Sequence, residues 1–274
     1  MRYGIQATWM NTTETILFHN ILPKGVKTFV LIEILTEDKS GALVVERLAS
    51  RICERNGVDA QINVRPHRGC GSIPKDLLAK PAKFASSLLD LLPAKCRAYN
   101  SVYDQTGCIL VVVMDSDDND PDLLRSQLYN ICRTFAPGIR SVIGLSTEEI
   151  EAWLLGDKRA LLSAYPDSDM DAYKDYVQDS ICGTWEVLCR VVYPENYEEL
   201  INIGYPAIGH YKARWADAIS ASMEPDRNVS PSFKNFENSL VAAFKSPIPI
   251  TRHYTSFGRK RENGETYICT YSIL

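Results

Sequence analysis

Apolar and polar positions along this chain change period in a regular way. Lys27 to Leu35, KTFVLIEIL, is a mostly apolar run of strand length built from β-formers, and it predicts a buried strand. In SGALVVERLASRICERNG the apolar residues Leu43, Val44, Leu48 and Ile52 recur at helical spacing, with a stop at Asn56-Gly57. DAQINVRP reads as a short second strand. After a glycine-bearing link, IPKDLLAKPAKFASSLLDLL is predicted as a helical region interrupted by Pro81. CILVVVM is a third strand, PDLLRSQLYNICRTF a helix, GIRSVIGLS a fourth strand and TEEIEAWLLGDKRALLSAY a helix. Strand and helix alternate four times, which predicts an α/β fold: a mainly parallel sheet with helices packed over it.

From about Gly156 the period changes. Residues 171–192 and 207–244 are mainly helical, broken by YPENYEEL and EPDRNVSPS. The tail ITRHYTSFGRKRENGETYICTYSI predicts two strands joined at Asn263-Gly264, a strong β-hairpin signal. The first 25 residues are strand-like in places and are expected to pair with that hairpin. The chain thus divides into an N-terminal extension (1–26), an α/β unit (27–155), a helical region (156–245) and a C-terminal hairpin (246–274). No internal repeat or low-complexity linker interrupts it.

Composition narrows the picture only a little. A hydrophobic content of 45% and a charged content of 23% over 274 residues are those of an ordinary globular protein. The formal charge of -4 advertises no nucleic-acid partner, so any such binding must rely on a local patch. Eight cysteines include no CxxC pair, and several sit in apolar patterns, as Cys108 and Cys132 do. That suits buried thiols in a reducing compartment and disfavours zinc. MRYGIQATWMNTTETI lacks the basic start and apolar core of a signal peptide, and no apolar run reaches membrane-spanning length. A cytoplasmic location is the expectation.

Candidate chemistry is concentrated in acids. The third strand runs directly into DSDDND, placing Asp115, Asp117, Asp118 and Asp120 within six positions. Carboxylates this close raise one another's pKa unless a cation sits among them. Glu37 and Asp38 follow the first strand, and Glu148, Glu149 and Glu151 follow the fourth. Functional groups of an open parallel sheet gather at the carboxyl ends of its strands, so the three clusters are expected on one edge. Asp115 and Asp117, two apart, share a face if the strand end stays extended. Hard oxygen donors of this kind suit Mg²⁺ or Mn²⁺. The competing explanation for any one cluster is ordinary: acids favour loop starts and helix N-termini.

Other segments have two readings each. VRPHRGCGS sets Arg65, His67 and Arg68 on a glycine-bearing loop, either a phosphate contact or an exposed basic surface. GHYKARWADAISASM interleaves His210, Lys212 and Arg214 with Tyr211 and Trp215, a pattern that binds nucleic acid or simply marks an amphipathic helix. Arg259, Lys260 and Arg261 crowd the expected hairpin tip. Trp153 is expected in the core. GCGS is no P-loop, and Ser72 has no nucleophile-elbow context.

A strand ending in glutamate, a later strand ending in DxD and the alternation around them resemble a TOPRIM domain, the metal-binding module of topoisomerases, primases and OLD-type nucleases. More closely, EDKSGALVVERL, HRGCGSI, VVVMDSDDND, EEIEAWLLGD and SPSFKNF together resemble a bacterial TOPRIM-like family of unassigned function. Its members often lie beside SMC/ABC-type ATPases in anti-phage loci. The resemblance spans roughly Lys27 to Leu240; EAWLLGD and SPSFxxF are its most specific pieces, and DxD its least. It implies Glu37, Asp115 and Asp117 as catalytic, metal-binding residues, with a third acidic position at Glu149 or Glu151. Glu33, in the ExxTE variant of the motif, competes with Glu37; EDKS before an apolar helix favours Glu37.

The expected function is therefore a Mg²⁺- or Mn²⁺-dependent nuclease on DNA or RNA, tRNA included, with Arg65, His67, Arg68 and Lys212 contacting substrate phosphate. No ATP-binding signature is present, so a separate SMC/ABC-type ATPase subunit is the expected partner, with no membrane and with self-association left open. The alternative is a non-catalytic adaptor or regulatory subunit of that ATPase. A primase-like nucleotidyl transferase is disfavoured, because no zinc or template-binding module accompanies the sheet.

Overall fold

The computed structural model of the protein describes residues 29–204 and 206–247, together with the backbone of residues 257–260 and 266–269. Four strands, β1 (Phe29–Thr36), β2 (Asp59–Pro66), β3 (Ile109–Asp115) and β4 (Arg140–Ser146), form one parallel sheet in the order β2-β1-β3-β4. The α/β alternation read from periodicity is present in every strand. In β3 the side chains of Ile109, Val111 and Val113 enter one core, and those of Leu110, Val112 and Met114 the other. A strand covered on both faces needs apolar residues at every position, which is why CILVVVM shows no alternation.

Helix α1 (Lys39–Arg55) covers one face, burying Val44, Val45, Leu48, Ala49 and Ile52 against β1 and β3. Helices α2 (Leu88–Tyr103) and α3 (Pro121–Phe135) cover the other. The helix after β1 and the helix after β3 therefore leave the sheet on opposite faces, although the two strands are hydrogen-bonded neighbours. The carboxyl ends of β1 and β3 are therefore a topological switch point, the position at which doubly wound sheets bind ligands.

Seven further helices follow: α4 (Glu151–Leu155), α5 (Lys158–Ala164), α6 (Met170–Asp175), α7 (Thr184–Val192), α8 (Tyr197–Asn202), α9 (Ala207–Ser220) and α10 (Pro231–Lys245). They extend the α1-side core: Trp153, Leu161, Leu188, Trp215, Phe233 and Phe236 share one buried cluster with Ile32 and Val111. The line drawn at 155/156 passes through that cluster. Helix α10 lies directly on β4, where a Cβ at Gly144 would come within 2.8 Å of Phe236 Cδ2. Arg51 of α1 donates to the terminal carbonyls of α9 at Ser220 and Ala221, 2.8 and 2.6 Å, and Arg47 pairs with Asp217 at 2.7 Å. Those are the carbonyls a helix end leaves unpaired.

EAWLLGD and SPSFKNF fold against each other. Trp153 stacks on Phe236 at 5.3 Å, meets Phe233 edge-on at 5.5 Å and donates its indole N–H to Ser232 at 2.9 Å. Asn228 donates to the Trp153 carbonyl at 2.8 Å, and its amide fills the space a Cβ at Gly156 would need. Asp157, fully buried, caps α5 through the N–H groups of Arg159 and Ala160, both at 3.1 Å. It also accepts from the Glu224 N–H at 2.9 Å and pairs with Arg227 at 2.9 Å.

Several expected elements differ. Residues 73–87 are irregular, not an interrupted helix. Pro74 and Pro81 forbid a continuous ladder there, and the helix begins only at Leu88. The single helix expected over TEEIEAWLLGDKRALLSAY is two, because the Asp157 carboxylate caps a new one after Gly156. YPENYEEL, expected as a break, contains α8, whereas 176–183 interrupts the helical 171–192 stretch. Two four-residue strands, β5 (Phe257–Lys260) and β6 (Thr266–Cys269), pair antiparallel. The expected Asn263-Gly264 turn, the basic residues at its tip taken as side chains, and any pairing by residues 1–25 lie outside the described residues. No helix among the described residues is long and apolar enough to cross a membrane.

Truncating the buried ring of Phe236 should cost about 3–5 kcal/mol, since a cavity opens under Trp153. Phe84, at 86% exposed, should cost no more than about 0.5 kcal/mol on truncation. Urea unfolding of Phe236→Ala and Phe84→Ala measures both.

Candidate metal centre

Glu37 stands one residue past β1, Asp115 is the last residue of β3, and Ser146 ends β4 opposite Asp115 in the ladder. Asp115 lies at an odd position of β3, so its side chain turns toward the α1 side. That is also the side from which α4 presents Glu151, only 1% exposed, and α9 presents Lys212. Lys212 Nζ lies 3.0 Å from Glu149 Oε1 and 3.3 Å from Glu151 Oε1. Asp115 accepts a 2.6 Å hydrogen bond from the Ser146 hydroxyl.

The electrostatics are those of acids forced together. Burial raises the Asp115 carboxyl well above its ordinary range. The charge of Glu151 raises it further and that of Glu37 adds to it, while Ser146 and Lys212 work the other way. Burial, reinforced by Asp117 and Asp38, pushes Glu37 up to about 7, against backbone N–H groups of Asp115 and Cys70 directed at it. Burial likewise pushes Glu151 up to about 7 despite Lys212, with Glu149 adding to the rise. Glu37 Oε2 and Glu151 Oε2 are both buried without a hydrogen-bond partner. Orphaned carboxylate oxygens on Glu37 and Glu151, the two acids whose charges act on Asp115, are the kind of donor a hard divalent cation takes, so the chemistry of these residues suits Mg²⁺ or Mn²⁺. Among the described residues no three acids, cysteines or histidines already form a ready coordination group. Asp115 is turned to Ser146 and Glu151 to Lys212.

The remaining acids divide by role. Asp117 does not extend the strand face shared with Asp115: β3 ends before it, and Asp117 is left-handed at φ 46°. Its N–H donates to the Glu148 carbonyl at 3.1 Å, and Glu148 is itself left-handed at φ 59°. Holding two non-glycine residues there costs on the order of 1 kcal/mol each, and strain of this kind collects at functional sites. Burial, Asp118 and Glu148 raise Asp117, and Lys212 lowers it. Glu148 serves structure. Its carboxylate accepts from the N–H groups of Cys182, Gly183 and Thr184 at 3.1, 2.9 and 2.9 Å and from the Thr184 hydroxyl. Against its burial, these bonds hold it below the usual carboxylate value. Glu149 accepts from the Trp185 N–H at 3.2 Å as well as from Lys212. Asp38 and Asp120 are N-caps of α1 and α3. The ordinary explanation of acids at helix starts thus accounts for these two, for Glu148 and for the place of Glu151 at the start of α4, and leaves Glu37, Asp115 and Asp117 without one.

Glu33 is absent from this group. It points to the α2 face, where Asn63 donates to it at 2.6 Å and Arg65 lies 3.5 Å away. Arg65 is thereby drawn toward Glu33. His67 is buried, its Nδ1 2.8 Å from the Thr36 carbonyl and its Nε2 without a partner, and burial lowers its pKa. Arg68 is exposed on the loop. Lys212, expected on phosphate, is engaged with carboxylates. Trp215 is fully buried, so it offers no stacking surface to a base. Cys70 escaped the sequence reading. Burial and the charges of Glu37, Asp117 and Asp115 push its thiol up to about 12, which places it against the acids. Its signal was slight: a cysteine between two glycines, Gly69 and Gly71, both at positive φ.

Because Glu37 is raised in the fold from 4.5 to about 7, its favourable contribution is complete below 4.5 and lost as pH rises through 7. Glu37→Gln should therefore match the metal-free wild type in thermal stability at the acid end and exceed it above 7. Melting curves across that range check this, and a wild-type advantage at high pH would contradict the cluster.

No protein-family model, curated protein or solved structure matches this chain.

Proposed function

We propose that this protein is a divalent-metal-dependent phosphodiesterase, a nuclease of TOPRIM-like type. The observation that supports this best is that buried Asp115, at the carboxyl end of β3, is acted on by the charges of both Glu151 and Glu37, each of which carries a buried carboxylate oxygen without a partner. Glu37, Asp115, Asp117 and Glu151 would hold Mg²⁺ or Mn²⁺. Once bound, such a metal polarises a phosphate oxygen and lowers the pKa of water.

The chain's own groups supply the rest. Ser146 orients Asp115. Glu37, whose carboxyl is pushed up to about 7 by burial, would either complete the metal's ligands or, left unligated, take a proton from an attacking water. The Glu148 clamp fixes the N-terminus of α7 beside Glu149. Arg68, on the loop whose Gly69 N–H donates to the Glu37 carbonyl at 3.0 Å, is the exposed cation next to the site for a phosphate chain.

An SMC/ABC-type ATPase partner, DNA or RNA as substrate and a role in anti-phage defence form the wider part of this proposal. They rest on the motif resemblance and on the lack of an ATP-binding signature. A second reading, a non-catalytic adaptor, is favoured by one observation: Lys212 already neutralises part of the cluster.

Purified protein should cut plasmid, single-stranded DNA or tRNA in Mg²⁺ or Mn²⁺ when combined with an SMC/ABC-type ATPase partner and little or not at all alone, and should stop in chelator. Asp115→Ala and Glu37→Gln should each lose activity by about a hundredfold or more while keeping the wild-type circular-dichroism spectrum. Undiminished activity in both variants would remove the catalytic assignment, and a protein that binds no Mn²⁺ would favour the adaptor.

A further inference from the structure

Lys212 stands where an added cation would stand. Its ammonium lies 3.0 and 3.3 Å from Glu149 and Glu151, and its side chain is only 15% exposed. Its charge also acts on Asp115 and Asp117. The Trp185 ring flanks it, with Nζ 5.9 Å from the centroid. Lys212 arrives from α9, outside every strand-end loop that carries an acid. We propose that Lys212 is the resident counter-ion of the acid cluster and that a divalent metal enters by displacing its ammonium. This rests on the metal-centre reading above.

The reasoning is one of unequal charge and valence. An ammonium has three donors spread over a tetrahedral face, and here it leaves Glu151 Oε2 and Glu37 Oε2 unsatisfied. A divalent ion carries twice the charge and takes about six oxygen ligands, so it can gather the orphans that lysine cannot. The two cations repel at such range and share Glu151 as a partner, so they exclude one another. Lysine suits the exchange: its charge sits on a flexible four-carbon stem, not on a rigid planar fork.

The exchange also orders events at the site. While Lys212 is held by Glu149 and Glu151, its ammonium is committed to these two carboxylates. Released by the metal, the same ammonium becomes a cation beside the acids, available to a substrate phosphate oxygen. The phosphate role expected for Lys212 from sequence then follows metal loading and does not precede it. An empty centre would present bound acids and a spent lysine, and so would hold nucleic acid poorly.

Two measurements on the full chain test this. Amine acylation of the wild type, read residue by residue by peptide mass spectrometry, should modify Lys212 slowly without metal and several-fold faster in saturating Mg²⁺. Exposed Lys80 serves as the unchanged reference. Lys212→Met should bind Mn²⁺ about tenfold more tightly than wild type, equivalent to about 1.4 kcal/mol, when both are titrated in the same buffer. Wild-type protein that binds Mn²⁺ while Lys212 acylation stays the same or slows overturns the displacement and leaves the metal centre standing. Failure of both wild type and Lys212→Met to bind Mn²⁺ overturns the metal centre and this inference together. The acylation experiment uses no variant, so it decides even if Lys212→Met folds poorly.

Discussion

Negative charge buried at the carboxyl edge of a parallel sheet is the constraint around which this molecule is arranged. Asp115 ends a strand covered on both faces, and Glu151 is almost wholly out of solvent beside it. Two such groups cannot both ionise there at low cost without a cation. Lys212 supplies one, but only because α9 lies against α1 with its last carbonyls held by Arg51 and its Asp217 by Arg47. The helical layer is thus a condition of the acid cluster. A unit cut at residue 155 would lose Lys212 and the part of the hydrophobic cover over Ile32, Val111 and Val113 that the later helices add to α1.

The same dependence explains the motifs. EAWLLGD and SPSFKNF, the most distinctive strings in the chain, do mostly structural work. Trp153, Gly156 and Asp157 lock onto Asn228, Arg227, Ser232 and Phe236, and this lock places α4 so that Glu151 faces Asp115. DSDDND, a commonplace string, carries the chemical candidates. A tryptophan in a close-packed socket or a glycine against an amide tolerates few replacements. Carboxylates at a loop start are common for many reasons, so only their mutual position separates a site from a solvated turn.

Sheet, helices on either face and acidic edge were legible in the sequence because each is local or periodic. Apolar CILVVVM reads as a buried strand from its β-branched run, and Asn56-Gly57 as the stop of α1. What stayed hidden was decided over long range. Asp157, whose carboxylate starts a new helix after Gly156, is itself held by Glu224 and Arg227, some seventy residues on. The sorting of Glu148 from Glu151, three positions apart, depends on whether α7 or β3 lies opposite. Lys212 looked like an exposed helix cation because its partners, Glu149 and Glu151, are more than sixty residues upstream. Asp117 was misplaced by assuming an extended strand end. Its left-handed turn becomes visible only once the Glu148 carbonyl is in place to receive its N–H.

That turn closes the argument about the edge. Asp117 and Glu148 sit in left-handed backbone on neighbouring loops, tied by one hydrogen bond between them and by another from the Glu148 N–H to the Ser116 hydroxyl at 2.9 Å. Neither residue type relieves the strain as glycine would. The stabilisation comes from the other end of Glu148, whose carboxylate caps α7 with three N–H groups and a hydroxyl. Helix α7 in turn brings the Trp185 N–H to Glu149 and its ring to Lys212. One strained junction therefore joins the loop that holds Asp117 to the helix that frames Lys212, so that acids and counter-ion are fixed by a single piece of backbone.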